Sequence, residues 1–185
     1  MTLSVLALDI DGVLTDGGIY LSDRGDEVLR FGVLDGLGIA RWLASGRECV
    51  WVSARESAAA TIRAERLGVR HLLLGVHDKV AAMEAFLSSH GYCWDQVVYV
   101  GDDLIDLEPM RRAGLGIAVS NAVPELKRAA GYVTVTAGGS GAVREVIDML
   151  LQHSTGPEDA ILKTSEKGAG GHGSATARRR RARTS

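Results

Sequence analysis

The segment Val5-Leu6-Ala7-Leu8-Asp9-Ile10-Asp11-Gly12 governs the reading of the whole chain. Four apolar residues in succession predict a strand buried on both faces, because alternate side chains of a strand point to opposite sides. Asp9 and Asp11 are two residues apart, so in extended backbone both carboxylates project to one side of the strand end. Acidic pairs are common in turns. This pair closes an apolar strand and is followed by Gly12 and Thr15, which makes it a stronger signal.

Outward from that strand the pattern repeats. Short apolar runs at residues 49–52, 71–74, 97–100, 116–119 and 132–135 predict further strands. Helical patterns are expected at 35–44, 56–67, 79–90, 104–113, 124–130 and 142–151, with Gly68 and Gly114 placed as stop signals. Residues 19–22 and 27–31 flank the turn Asp23-Arg24-Gly25-Asp26 and predict a β-hairpin directly after the first strand. Strands apolar on both faces and separated by helices define an α/β fold, a mostly parallel sheet with helices on both sides. Ligands of such sheets bind beyond the carboxyl ends of the strands.

Each strand end carries a polar signal. After residues 49–52 stands Ser53, which either holds a phosphate oxygen or caps the following helix. After residues 71–74 comes Gly75-Val76-His77-Asp78-Lys79, whose lysine either meets an anion or is simply solvated. After residues 97–100 comes Gly101-Asp102-Asp103-Leu104-Ile105-Asp106. Three acids within five residues repel one another, and a hard divalent cation such as Mg²⁺ relieves that repulsion. A helix dipole accounts for one or two of the acids, but not for a second acidic pair at another strand end.

In this order, the residues Asp9-Ile-Asp11-Gly-Val-Leu-Thr15, Ser53, Lys79 and Gly101 to Asp106 resemble the haloacid dehalogenase superfamily of phosphotransferases. Asp9 to Tyr20, Gly101 to Asp106 and Ala137 to Glu145 narrow the resemblance to its small, capless branch. That branch holds 3-deoxy-manno-octulosonate 8-phosphate phosphatases, nonulosonate 9-phosphate phosphatases and the C-terminal domain of some acylneuraminate cytidylyltransferases. The resemblance covers about residues 3–152.

It implies a Rossmann-like fold, no cap domain, and an Mg²⁺-dependent phosphomonoester hydrolase acting through an aspartyl-phosphate. Asp9 is then the nucleophile and Asp11 the general acid and base. Ser53 and Lys79 grip the transferring oxygens. Mg²⁺ is held by the side chains of Asp9 and Asp102 and by the main-chain carbonyl of Asp11. Asp103 and Asp106 orient metal waters or Lys79. Asp35, Gly36, Arg55 and Arg63 join Asp11 and Lys79 as substrate-binding residues, with an acidic sugar phosphate as partner. Neighbouring subunits of a homotetramer, meeting through the hairpin, are expected to close the site. Leu34, Ala40 and Ser140 stand where arginines are usual in the octulosonate enzymes, which keeps a nonulosonate phosphate open as substrate.

Composition sets the outer bounds. Of 185 residues, 46% are hydrophobic and 24% charged, as in a soluble globular protein. No apolar run approaches the ~20 residues that span a bilayer, and Met1-Thr2-Leu3-Ser4 has no basic region ahead of an apolar core. Cys49 and Cys93 make neither a disulfide framework nor a metal pattern, so a cytoplasmic setting is expected. Residues 1–153, read as the hydrolase domain, carry 14 Lys and Arg against 20 Asp and Glu. Residues 154–185, read as a disordered basic tail, carry 7 against 3.

Three other classes fit the sequence less well. The acidic body argues against a nucleic-acid footprint, although the run Arg178 to Arg183 leaves open a contact with an anionic partner. A phospho-receiver domain would have an aspartate where Ser53 follows the second strand. A non-catalytic module fits poorly with Asp9 and Asp11 both in place.

Overall fold

The computed structural model describes residues 2–154; the basic segment expected after them lies outside the described residues. Strand β1 (Val5–Leu8) has all four side chains fully buried, as its sequence requires. It sits inside a six-stranded sheet with β4 (Glu48–Val52) on one side and β6 (Val97–Gly101) on the other, both parallel to it. β5 (His71–Leu73) extends the sheet beyond β4, and β7 (Leu115–Ala118) and β8 (Tyr132–Val133) extend it beyond β6. The order is β5-β4-β1-β6-β7-β8, with every pairing parallel.

Between β1 and α1 (Val33–Ala44) lies only an antiparallel hairpin of β2 (Tyr20–Leu21) and β3 (Glu27–Val28). The remaining helices are α2 (Ala58–Leu67), α3 (Lys79–His90), α4 (Leu107–Arg112), α5 (Pro124–Ala129) and α6 (Ala142–Ser154). The core fills with Trp42 and Ile39 of α1, Trp51, Tyr99 and Ile117 of the sheet, Met83 of α3 and Ile147 of α6. Among the described residues no helix is long and apolar enough to cross a membrane.

Three elements depart from their expected form for local reasons. The helix expected at 104–113 opens as a 3₁₀ turn, Leu104–Asp106, before α4 begins. The Asp106 side chain folds back to accept from the N–H groups of Asp102 (3.0 Å) and Asp103 (3.4 Å), which tightens the first turn. β8 stops at Val133 because the N–H groups of Val135 and Thr136 turn to the Glu145 carboxylate instead of a neighbouring strand. The hairpin strands shorten because Ser22 Oγ accepts from the N–H groups of Arg24 and Asp26, giving the loop backbone side-chain partners.

Candidate active site

With β1, β4 and β6 adjacent and parallel, Asp9, Ser53 and Asp102 arrive at one rim of the sheet. The β1 end is shaped by Thr15, which is fully buried. Its Oγ1 donates to the Ile10 carbonyl and accepts from the N–H groups of Gly12 (3.3 Å) and Gly17 (3.2 Å). Gly12 has φ +83°, a left-handed conformation that glycine adopts without strain. Asn121, after β7, donates to the Gly12 carbonyl at 2.9 Å and accepts from Gly138 N–H at 2.7 Å, tying this loop to the one before α6.

Beneath the rim lies a buried polar network. Lys79 Nζ, at the start of α3, donates to Oδ1 of Asp9 and to Oδ1 of Asp106, each at 2.7 Å. The Tyr99 hydroxyl donates to the same Asp106 oxygen at 2.8 Å. Asp9, Lys79 and Asp106 are respectively 4%, 3% and 0% exposed. Burial pushes the Asp9 carboxyl up to about 8, with Asp106 adding to the rise and Lys79 opposing it. Burial and then Asp106 push Asp102 up to about 6.

One ligand oxygen each from Asp9, Asp102 and Asp106 lies within 4.8 Å of the others. Three carboxylates so close, two of them reluctant to ionise, fit a hard divalent cation. Both oxygens of Asp106 are already engaged, by Lys79 and Tyr99 on one and by backbone N–H groups on the other. The donors that suit a cation are therefore Asp9 and Asp102.

The cleft above this network, about 220 Å³, is lined by Asp9, Asp11, Ser53, Arg55, Asp102 and Asp103 among others. Arg55 donates from Nε to Asp11 Oδ2 at 3.1 Å and from Nη2 to Asp11 Oδ1 at 2.8 Å. Ser53 does not cap α2; that residue is Ser57, whose hydroxyl accepts from Ala60 N–H. Ser53 is instead buried in the cleft wall, its Oγ accepting from Arg55 N–H at 3.1 Å. Asp103 is exposed at the rim and caps the 3₁₀ turn through Leu104 N–H at 2.7 Å, while the hold on Lys79 belongs to Asp106.

Three residues expected to bind substrate fall outside the lining of this cleft. Asp35 is 1% exposed, and its carboxylate accepts from the N–H groups of Gly141 and Arg144, capping the start of α6. Gly36 is buried against α2, where a Cβ would collide with the Arg63 guanidinium. Arg63 itself donates to the Gly32 carbonyl at 3.3 Å. These three residues bind α1 to α2 and α6 and do not line the cleft. Two residues that hold this site together, Tyr99 and Asn121, carry no motif of their own in the sequence. Tyr99 alone left a sequence signal, since a tyrosine inside an apolar buried strand needs a partner for its hydroxyl.

The sequence profile of the haloacid dehalogenase-like hydrolases matches residues 71–147, which include Lys79 and the Gly101–Asp106 segment. Over 149 residues, 80% of this chain and 79% of the relative, the chain is 44% identical to 3-deoxy-D-manno-octulosonate 8-phosphate phosphatase of Escherichia coli K12. The chain belongs to the haloacid dehalogenase-like hydrolases, among their phosphatases. This hydrolase also resembles a crystal structure of the octulosonate phosphatase of Moraxella catarrhalis in complex with magnesium, phosphate and the sugar acid. The two superpose with a TM-score of 0.81 at 36% identity, covering 88% of this chain and 93% of the other. A cobalt-bound form of the Haemophilus influenzae octulosonate phosphatase superposes with a TM-score of 0.79 at 34% identity, covering 82% and 88%.

Proposed function

We propose that the chain hydrolyses the phosphomonoester of an acidic sugar, of the 3-deoxy-manno-octulosonate 8-phosphate type, through a phospho-aspartate at Asp9 with Mg²⁺ as cofactor. The observation that carries this reading is the buried Lys79, bonded at once to Asp9 and Asp106 beneath a cleft walled by Asp11, Ser53 and Arg55.

Mg²⁺ would be held by Asp9, Asp102 and the main-chain carbonyl of Asp11. Bound there, it would offset negative charge between carboxylate and phosphate and favour an in-line approach. Asp9 attacks phosphorus, and the P–O bond to the sugar breaks as the acyl phosphate forms. With Oδ1 still held by Arg55 Nη2, Asp11 takes up a solvent proton on Oδ2 as that oxygen leaves Arg55 Nε, gives it to the departing sugar oxygen, then takes one from the water that attacks the acyl phosphate, which returns Asp9 and releases phosphate. Lys79 fixes the Asp9 carboxylate and, with Ser53, supplies charge and a hydroxyl to the transferring oxygens. Arg55 serves the substrate carboxylate, for which a guanidinium is suited. Asp103 and Asp106 act on the surroundings of these groups, Asp106 by gripping Lys79.

A nonulosonate 9-phosphate is the second substrate reading. Leu34, Ala40 and Ser140, all exposed, hold positions where the octulosonate enzymes usually have arginine. A homotetramer joined through the hairpin belongs to the same proposal. It is supported by the exposed apolar side chains of Tyr20, Leu21, Val28, Val33, Leu34 and Leu37, on the hairpin and the first turns of α1. A cytoplasmic setting agrees with the free thiols of Cys49 and Cys93.

Phosphate release measured across octulosonate 8-phosphate, nonulosonate 9-phosphate and hexose phosphates, with and without Mg²⁺, tests the function. Turnover of the acidic sugars only with Mg²⁺ supports it. Equal rates on hexose phosphates remove the substrate class, and absence of any turnover removes the enzyme reading. Light scattering at micromolar concentration tests the assembly, and a monomer counts against it.

A further inference from the structure

One carboxylate reaches the cleft wall from the hairpin and has no place in the reaction so far. Glu27 of β3 pairs through Oε2 with Nη1 of Arg55. Its other oxygen accepts a hydrogen bond from Ser57 Oγ at 2.9 Å. Ser57 is the N-cap of α2 and accepts from Ala60 N–H at 3.3 Å. Glu27 is thus fixed to a rigid helix end and to Arg55 together.

Arg55 has five N–H donors in one plane. Two go to Asp11 and one to Glu27. Two remain, one on each terminal nitrogen. Side-chain exposure is 33% for Arg55 and 27% for Glu27, positions where a long side chain keeps rotamer freedom unless something holds it. Asp11 anchors one edge of the guanidinium and Glu27 the opposite nitrogen, so the plane is set from both sides. The positive charge between two carboxylates is then directed and not merely present.

We infer that Glu27 is a positioning residue for recognition of the substrate carboxylate, bracing Arg55 so that its two remaining N–H groups stay turned to the ligand. This rests on the acidic-sugar reading above and adds the residue that orients its binding group. A hairpin tether with no bearing on recognition would affect all substrates alike. A brace for Arg55 affects those that carry a carboxylate.

The test uses the full chain with Mg²⁺ and two variants, Glu27→Ala and Glu27→Gln. Steady-state kinetics are run on octulosonate 8-phosphate or nonulosonate 9-phosphate, whichever wild type turns over faster, and on p-nitrophenyl phosphate, which has no carboxylate. Glu27→Ala is expected to raise KM for the sugar acid by about fivefold or more with kcat within about threefold. KM for p-nitrophenyl phosphate stays within about twofold. Glu27→Gln keeps a neutral acceptor for Arg55 and recovers at least half of the loss; where the alanine variant does not fold, a KM rise in Glu27→Gln confined to the sugar acid supports the inference. Equal KM changes on both substrates, or none on either, overturn the inference while wild-type turnover of the sugar acid leaves the functional reading standing. Wild-type turnover of p-nitrophenyl phosphate but of neither sugar acid overturns the substrate reading and this inference with it.

Discussion

Gly12 faces Asp102 so closely that a Cβ at position 12 would fall inside contact distance of the Asp102 carboxylate. The same residue has φ +83°, where an L side chain is strained by about 1–2 kcal/mol. Conformation and space therefore both demand glycine here. The loop leaving β1 and the carboxylate leaving β6 are fitted to each other, which brings Asp9 and Asp102 into one cluster. Gly12→Ala is expected to displace Asp102 and lower kcat by about a hundredfold, the scale of an ångström of misplacement. It also weakens Mg²⁺ binding in calorimetric titration. Wild-type kcat in a folded Gly12→Ala protein would show that the fit has no bearing on the chemistry.

Asp9→Asn separates chemistry from fold. The amide keeps the size of the buried side chain, and Lys79 keeps its 2.7 Å bond to Asp106. Turnover is expected to vanish while the far-ultraviolet circular dichroism and the cooperativity of melting persist. Near wild-type turnover in that variant would remove Asp9 as nucleophile.

Tyr99→Phe tests the far end of the buried network. The hydroxyl donates to an oxygen of Asp106 that also receives Lys79, and Tyr99 is fully buried. Its loss leaves the carboxylate with one donor fewer where water does not enter, at a cost of about 1–3 kcal/mol in denaturant unfolding. With Asp106 less firmly held, Lys79 shifts and kcat falls while KM changes little. An unchanged unfolding free energy would contradict the bond.

Which parts of this site were readable in the sequence follows from range. Asp9, Ser53 and Asp102 each stand just past a buried strand, Lys79 opens the helix that follows the half-buried β5, and a parallel sheet carries all such ends to one rim. Local pattern plus one topological rule was enough to bring them together. Asp35 shows where that reasoning stops. Its partners, Gly141 and Arg144, lie more than a hundred residues away, and nothing near Asp35 announces that its carboxylate caps another helix. Glu27 and Arg55 meet only because the hairpin folds against the start of α2, a contact that neither segment's periodicity encodes. The expected place of Asp106 beside Lys79 rests on the resemblance, whereas the way it gets there, through backbone bonds to Asp102 and Asp103 that tighten the first turn, has no sign in the helical pattern of that segment.

Protons and Mg²⁺ should compete at this site, with a definite sign. Asp9 is raised to about 8 and Asp102 to about 6, each first by burial and then by Asp106. Their unfolded values lie near 3.8, so between that pH and the folded values the native state binds more protons than the unfolded state. Without metal, these two groups therefore make the protein less stable as pH rises from about 4 to 8. A cation that needs both carboxylates ionised reverses this, so the rise in melting temperature on adding Mg²⁺ is expected to grow between pH 6 and 8 and then level off. Calorimetric titration in two buffers of different ionisation enthalpy should register proton release on binding at pH 7. Asp9→Asn removes the larger titration, so its Mg²⁺-free melting temperature varies less across the same range. A melting shift independent of pH, with no proton release, would mean that Mg²⁺ binds away from these two carboxylates.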